Sequence, residues 1–324
     1  MNFKYPSLGL MTMVMACCTA SALAQDIPAA KQMKIIVPYS AGGTSDILGR
    51  KLALQLGERL GRQIVVDNKA GAGGAIGTEA TVRADADGST LLLHSGAIAT
   101  EPSMKTKLPY DVTRDLTAVT TVVRGPFALL VSNDLPVKTV DEFVAYAKAN
   151  PGKVNFGTPG IGTSVHFTSE HFKVATKASI THVPYKGASV ALTALMSNEV
   201  QMVIDPLATA KKYAEAGKVR ALALTTARRS DLWPGLPAMN DAGVSNFDAA
   251  VWYGLYAPAK TPAATIERLN KEVVAVLQSA DMRKWLAQEG LEPVGDSPVQ
   301  AQQFLTKEIS HWLTVGKNAG IQPE

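Results

Sequence analysis

The sequence predicts an α/β protein of two domains, each a mainly parallel sheet flanked by helices, with two crossings of the chain between them. Three observations predict it. The chain has 324 residues, too long for one ordinary domain. Short apolar runs alternate with stretches of helical periodicity, the pattern of repeated β-α-β units. A strand, a glycine turn and a helix start also occur in that order twice, over residues 33–46 and 154–164.

Composition sets the outer limits. A chain 46% hydrophobic and 19% charged fits a globular protein with a full core. The net charge of +4 is spread without a basic block, which argues against nucleic acid as a partner and favours small anions.

Residues 1–24 read as an export leader. Lys4 supplies the positive start, residues 8–20 are apolar, and Ala22-Leu23-Ala24 is a small-x-small cleavage site. Removal is expected between Ala24 and Gln25, with Lys4 the one charge lost, so +4 becomes +3. An uncleaved anchor is the weaker reading, because the apolar stretch is short for a membrane span. Cys17 and Cys18 both lie in the leader, so neither a disulfide framework nor thiol chemistry is expected afterwards. Lipidation at Cys17 is the minor alternative, since Met15 fits such a processing site poorly.

The remaining chain divides into 25–125 plus 252–324 as one domain and 126–251 as the other. The first begins with a strand over 33–37, followed by the turn Pro38-Tyr39-Ser40-Ala41-Gly42-Gly43-Thr44-Ser45-Asp46. Ile47, Leu48, Leu52, Leu56 and Leu60 then mark an amphipathic helix, with Thr44 or Ser45 expected as its cap. The free amides of a helix start suit an anion. A strand over 64–66, a glycine-rich turn over 68–77 into a helix to about 84, and a strand over 90–94 complete a β-α-β-α-β series. That strand ends in the small residues Ser95, Gly96 and Ala97. Ligands of parallel sheets sit beyond the carboxyl ends of strands, so the turns after Val37 and His94 are candidate lining.

Strands over 116–123 and 127–131 flank Arg124-Gly125-Pro126. The second series opens with a helix starting Thr139-Val140-Asp141-Glu142, with Phe143, Val144 and Ala147 as its apolar face. A strand over 154–156 leads into Gly157-Thr158-Pro159-Gly160-Ile161-Gly162-Thr163-Ser164, and a helix over 165–175 follows. Strands over 180–183, 200–204 and 219–225 and a helix over 189–196 complete it. After a strand over 252–257, three helices are expected to pack back on the first domain. The crossings fall near 120–131 and 251–256.

The second turn has the spacing Gly-x4-Gly-Thr-Ser, but Thr163 stands where a triphosphate loop has lysine. It is read as an anion cradle without nucleotide hydrolysis; taken alone, a plain helix start explains it as well. The turn from Gly71 to Gly77 fails a dinucleotide fingerprint at Ile76, and a structural turn is favoured. His166, Glu170 and His171 share a helix in an order unlike a zinc helix, so neither metal nor cofactor is expected. His166, in the first helical turn, either borders a ligand or is a partly exposed helical histidine. Asp46 suits the helix N-terminus electrostatically. Asp205, at a strand end before Pro206, is a candidate for ligand discrimination, with a surface turn as the alternative.

Pro38-Tyr39-Ser40-Ala41-Gly42-Gly43-x-x-Asp46, then Asn68-Lys69-x-Gly71-Ala72-Gly73-Gly74-x-Ile76-Gly77, resembles the periplasmic receptors of tripartite tricarboxylate transporters, the Bug family. Asp87-Gly88-x-Thr90-Leu91-Leu92, Ala147-Lys148-Ala149-Asn150-Pro151-Gly152-Lys153, His182-Val183-Pro184-Tyr185-Lys186-Gly187 and Trp252-Tyr253-Gly254-Leu255-Tyr256-Ala257-Pro258 extend the resemblance over the whole chain after the leader. It implies a periplasmic-binding-protein-like clamshell without enzymatic activity or cofactor, located in the periplasm. It implies a ligand carboxylate held between two loops, one per domain. Here they match Tyr39, Ser40, Ala41, Gly42, Gly43 and Ser45 in one loop, and Thr158, Gly160, Gly162, Thr163 and Ser164 in the other, with His166 beside it. Ser95, Gly96, Ala97, Tyr185 and Asp205 would border the rest of the ligand. The implied ligands are di- and tricarboxylates, acidic amino acids or aromatic carboxylates, and the implied partners are membrane transporter subunits, with the receptor a monomer. Thr158 replaces a common serine, and the loop after His94 is less typical, which leaves the ligand open. The rival is an exported hydrolase or lyase acting on small carboxylates; it needs a nucleophile–base pair or metal set, and no Gly-x-Ser-x-Gly elbow is present.

Overall fold

A computed structural model describes residues 31–104 and 107–322, together with Met1. The leader, its cleavage site, Cys17 and Cys18 lie outside the described residues. The chain begins with β1 (Met33–Val37), α1 (Thr44–Leu60) and β2 (Ile64–Asn68). A short 3-10 turn (Ala72–Gly74) then leads into α2 (Ala75–Val82), β3 (Thr90–Ser95), α3 (Ala97–Met104) and α4 (Val112–Asp115). β1 pairs in parallel with both β2 and β3, as the alternation of apolar strand and amphipathic helix predicts.

The long strand β4 (Leu116–Val131) runs through Arg124-Gly125-Pro126 without a break, where the sequence suggests two strands. The reason is a change of partner. Residues up to Pro126 pair with β9 (Ala250–Pro258), and residues from Phe127 on pair with β7 (Met202–Pro206) and β8 (Arg220–Leu224). Pro126 stands at the end of one ladder and just before the others, where its missing N–H interrupts neither.

Beyond β4 come α5 (Val140–Ala149), β5 (Asn155–Thr158), α6 (Ser164–Thr176), β6 (Thr181–Pro184) and α7 (Ala188–Met196). After β7, α8 (Leu207–Glu215) precedes β8. β5 pairs in parallel with β6 and β7. The sheet order is β2-β1-β3-β9-β4-β7-β5-β6, parallel toward both ends and antiparallel around β4. The chain returns toward β9 beside β8, where the Ala249 amide donates to the Thr225 carbonyl at 2.9 Å.

After β9 the chain forms α9 (Ala263–Gln278), α10 (Ala280–Gln288), the short β10 (Glu292–Pro293) against β4, and α11 (Pro298–Ala319). Ser297 caps α11 in a capping box with Gln300. α9 packs on α1, as expected of the terminal helices. α11 packs on α3 and β4 in the same way, and beyond that expectation it also packs on α6. Trp312 lies edge-on to Phe167 at 6.0 Å, and His311 edge-on to His171 at 4.8 Å. One cluster of buried side chains therefore runs from Ile36 and Leu92 through Trp312 to Phe156 and Phe172. Burying an aromatic of this kind contributes roughly 2–3 kcal/mol.

Candidate functional site

Both glycine loops leave the carboxyl ends of strands, β1 and β5, and both open helices. In the first loop Gly43, not Thr44 or Ser45, is the N-cap, and no side chain caps it. Asp46 fastens the loop, because its Oδ2 accepts the Gly42 amide at 2.9 Å. Arg50 grips the same carboxylate at 2.9 and 3.1 Å and holds it below the usual carboxylate range. Arg50 also donates to Asn68, and the Asn68 amide donates to the Tyr39 carbonyl at 3.1 Å. The Asn68 and Asp46 of the sequence motif thus act on the same loop. The amides of Gly43, Thr44 and Ser45 meet no acceptor among the described residues.

The second loop is braced from beneath. Thr163 caps α6: its hydroxyl accepts the His166 amide and donates to the Gly160 carbonyl at 2.9 Å. His166 is buried under the loop and is not in the cavity lining; its Nδ1 accepts the Gly162 amide at 3.3 Å. Its ring stacks on His182 at 4.2 Å, and His182 stacks on Phe156 at 5.0 Å. The Thr158 hydroxyl is 2.6 Å from His182 Nε2. Burial pushes both imidazoles down to about 4, so the column is neutral at pH 7.

Between the loops lies a cavity of about 590 Å³. Of the residues anticipated from sequence, Tyr39, Ala97, Gly162 and Thr163 line it. Ser40, Ala41, Gly42, Gly43 and Ser45 form the loop behind Tyr39, and Gly160 and Ser164 flank Gly162 and Thr163, without lining the cavity themselves. Gly96 is spent on packing: its amide donates to the Trp252 carbonyl, and the Trp252 ring lies where a Cβ would be. Tyr185 sends its hydroxyl to Glu199 at 2.9 Å and is not in the cavity wall. Asp205 is not in the wall either. It sits within β7 opposite Ala128, 2% exposed, with Oδ2 unpartnered among the described residues, and burial pushes it up to about 7.

Three wall elements lie outside the sequence reading. Ala72 and Gly73 belong to the turn from Gly71 to Gly77. Thr100, Glu101 and Met104 lie on α3, which the sequence does not announce, and Lys107 follows it. Ile161, inside the second loop, completes the lining. α3 reaches the second loop directly: Met104 packs where a Cβ on Gly162 would stand, at 3.3 Å. Gly162 has φ +82°, a conformation that favours glycine. Among the described residues no group of three or more His, Cys, Asp or Glu is arranged to hold a metal ion, and no helix is long and apolar enough to cross a membrane.

A mixed α/β sheet shared by two halves, with facing glycine loops above strand ends, defines a protein of the periplasmic-binding-protein class. The chain belongs to the family described as tripartite tricarboxylate transporter family receptor, which matches residues 48–321. It is 35% identical over 305 residues to protein BugT of Bordetella pertussis, covering 94% of both chains. Among solved structures it is similar to R. palustris Rpa4515 with adipate, at 35% identity and a TM-score of 0.79, over 91% of this chain and 99% of that one. It is also similar to MatC from Rhodopseudomonas palustris with bound malate, at 28% identity and a TM-score of 0.75, over 89% and 99%.

Proposed function

We propose that the chain is an exported receptor that binds a small carboxylate in the cavity between the two glycine loops and delivers it to a tripartite tricarboxylate-type membrane transporter. The observation that carries this is the cavity itself: Tyr39 of the first loop and Gly162 and Thr163 of the second face one volume in a chain of this receptor family. Two solved relatives carry adipate and malate, both dicarboxylates. The Tyr39 and Thr163 hydroxyls lie on the polar side of this cavity, and Ala97, Met104 and Ile161 supply an apolar wall for a carbon chain. The action is capture and closure without covalent chemistry. Residues 25–125 plus 252–324 form one jaw and 126–251 the other, with β4 and the approach to β9 as hinges.

A thermal-shift screen of di- and tricarboxylates, acidic amino acids and aromatic carboxylates tests the reading. A ligand at a hundred times its Kd adds about 2.7 kcal/mol of stability and raises the melting temperature. No shift with any class overturns it. Mass spectrometry of secreted material is expected to give Gln25 as the first residue, and size-exclusion chromatography a monomer.

A further inference from the structure

We propose that Lys107 is a specificity-determining residue that pairs with a second carboxylate of the ligand, so that the cavity selects a dicarboxylate over a monocarboxylate of the same chain length. The proposal rests on the receptor reading for the first carboxylate, which that reading assigns to the two glycine loops.

One side of the cavity is a single helical stripe. Ala97, Thr100, Glu101 and Met104 recur at i, i+3, i+4 and i+7, so they share one face of α3 and line the cavity together. Lys107 continues this wall three residues past the helix end. Eight residues of helix measure about 12 Å, so Ala97 and Lys107 stand at opposite ends of the wall, with Met104 between them.

The other polar side chains of the lining are committed within the protein. The Tyr39 hydroxyl lies 2.7 Å from Ser95 Oγ. The Thr163 hydroxyl donates to the Gly160 carbonyl at 2.9 Å, and the Thr100 hydroxyl reaches the Ala97 carbonyl at 3.0 Å. Glu101, 4% exposed, presents neither oxygen to a ligand: Oε2 accepts the Tyr110 hydroxyl at 2.7 Å, and Oε1 is buried beside Gly74. Lys107 differs from all of these. It is exposed, and its ammonium meets no acceptor among the described residues. The wall therefore ends in three uncommitted donors carrying a positive charge.

That charge discriminates between ligand ends. A carboxylate beside Lys107 accepts from the ammonium and replaces the water it displaces. A methyl group in the same place covers the ammonium and returns no hydrogen bond. The apolar stem of the lysine extends the wall for the carbon chain in either case.

Calorimetry with chain-matched pairs tests the assignment: succinate and butyrate, adipate and hexanoate, terephthalate and 4-methylbenzoate. The wild type is expected to bind the dicarboxylate of at least one pair about tenfold or more tightly than its monocarboxylate. Lys107→Met keeps an apolar stem and removes the charge, so the dicarboxylate should weaken about tenfold while the monocarboxylate holds or tightens. Lys107→Arg keeps the charge and should keep the preference. Both variants should melt with the wild type in the absence of ligand, because no described residue holds the ammonium. A lysine serving only the end of α3 through the helix dipole predicts equal changes for both members of a pair. That result, or equal wild-type affinity within every pair, overturns the role of Lys107 and leaves the receptor reading standing. No binding of any of the six probes overturns both.

Discussion

The Thr100 hydroxyl donates to the Gly162 carbonyl at 3.3 Å, a direct bond between α3 and the second glycine loop across the cavity. The same hydroxyl reaches the Ala97 carbonyl at 3.0 Å, so its proton is shared between its own helix and the opposite wall. With Met104 packed on Gly162, this is where the wall beside β3 meets the wall beside β5.

Thr100→Val keeps the shape and removes the bond. A net hydrogen bond is worth about 0.5–1.5 kcal/mol, so carboxylate affinity should weaken roughly two- to tenfold by calorimetry. Unchanged affinity would mean that the bound state does not use this contact.

The two adjacent glycines of the 3-10 turn should separate cleanly. At Gly74, with φ +114° and two polar atoms in the way of a Cβ, alanine should destabilise the fold by about 2–5 kcal/mol. At Gly73, with φ +72° and nothing within 4 Å, alanine should cost only about 1–2 kcal/mol of backbone strain. Denaturant titration of both variants checks the difference.

His166→Phe preserves an aromatic ring against His182 but leaves the Gly162 amide without its acceptor. The second loop should loosen, with a loss of about 1–2 kcal/mol in carboxylate binding. A comparable fall in global stability without loss of affinity would place the role of His166 in folding alone.

Stability should respond to pH through opposed groups: Asp205 on one side, and His171 on the other, with His166 and His182, also lowered to about 4 by burial, acting in the same sense as His171. Asp205, raised from 3.8 to about 7, keeps its proton in the native state while the unfolded chain loses it. Stability from this group falls as pH rises from about 4 to 7, by up to about 4 kcal/mol. His171 stacks on Phe247 at 4.4 Å and is lowered from 6.5 to about 4 by burial. Its contribution is present above 6.5 and is lost as pH falls toward 4. Asp205→Asn should therefore steepen the rise of melting temperature between pH 4 and 7, and His171→Phe should flatten it. Parallel profiles for wild type and both variants would contradict these burial effects.

The strands and both glycine loops were legible because period and turn chemistry are local. So was the pairing of the loops, since each follows an apolar strand and opens a helix. What failed was whatever depends on a partner far along the chain. Gly125 and Pro126 read as a break, although β9, β7 and β8 carry β4 through them. Thr44 and Ser45 read as caps, but the helix begins one residue earlier, with Gly43 as its N-cap. α3 was invisible because Ser95, Gly96 and Ala97 suggest a loop and Pro102 lies inside the helix. With α3 went Thr100, Glu101 and Met104, and with them much of the cavity wall. His166 and Asp205 sit near loop and strand ends, yet periodicity cannot tell that both face inward.

β4 and β9 also set an order of events. β3 pairs with β9, Leu92 opposite Tyr256, whereas the chain that forms β5 to β8 lies wholly between β4 and β9. The intervening strands can pair as soon as they are made, but β3 waits for almost the entire chain. Such long-range pairing slows folding and leaves the β3 edge open to other chains in the interval.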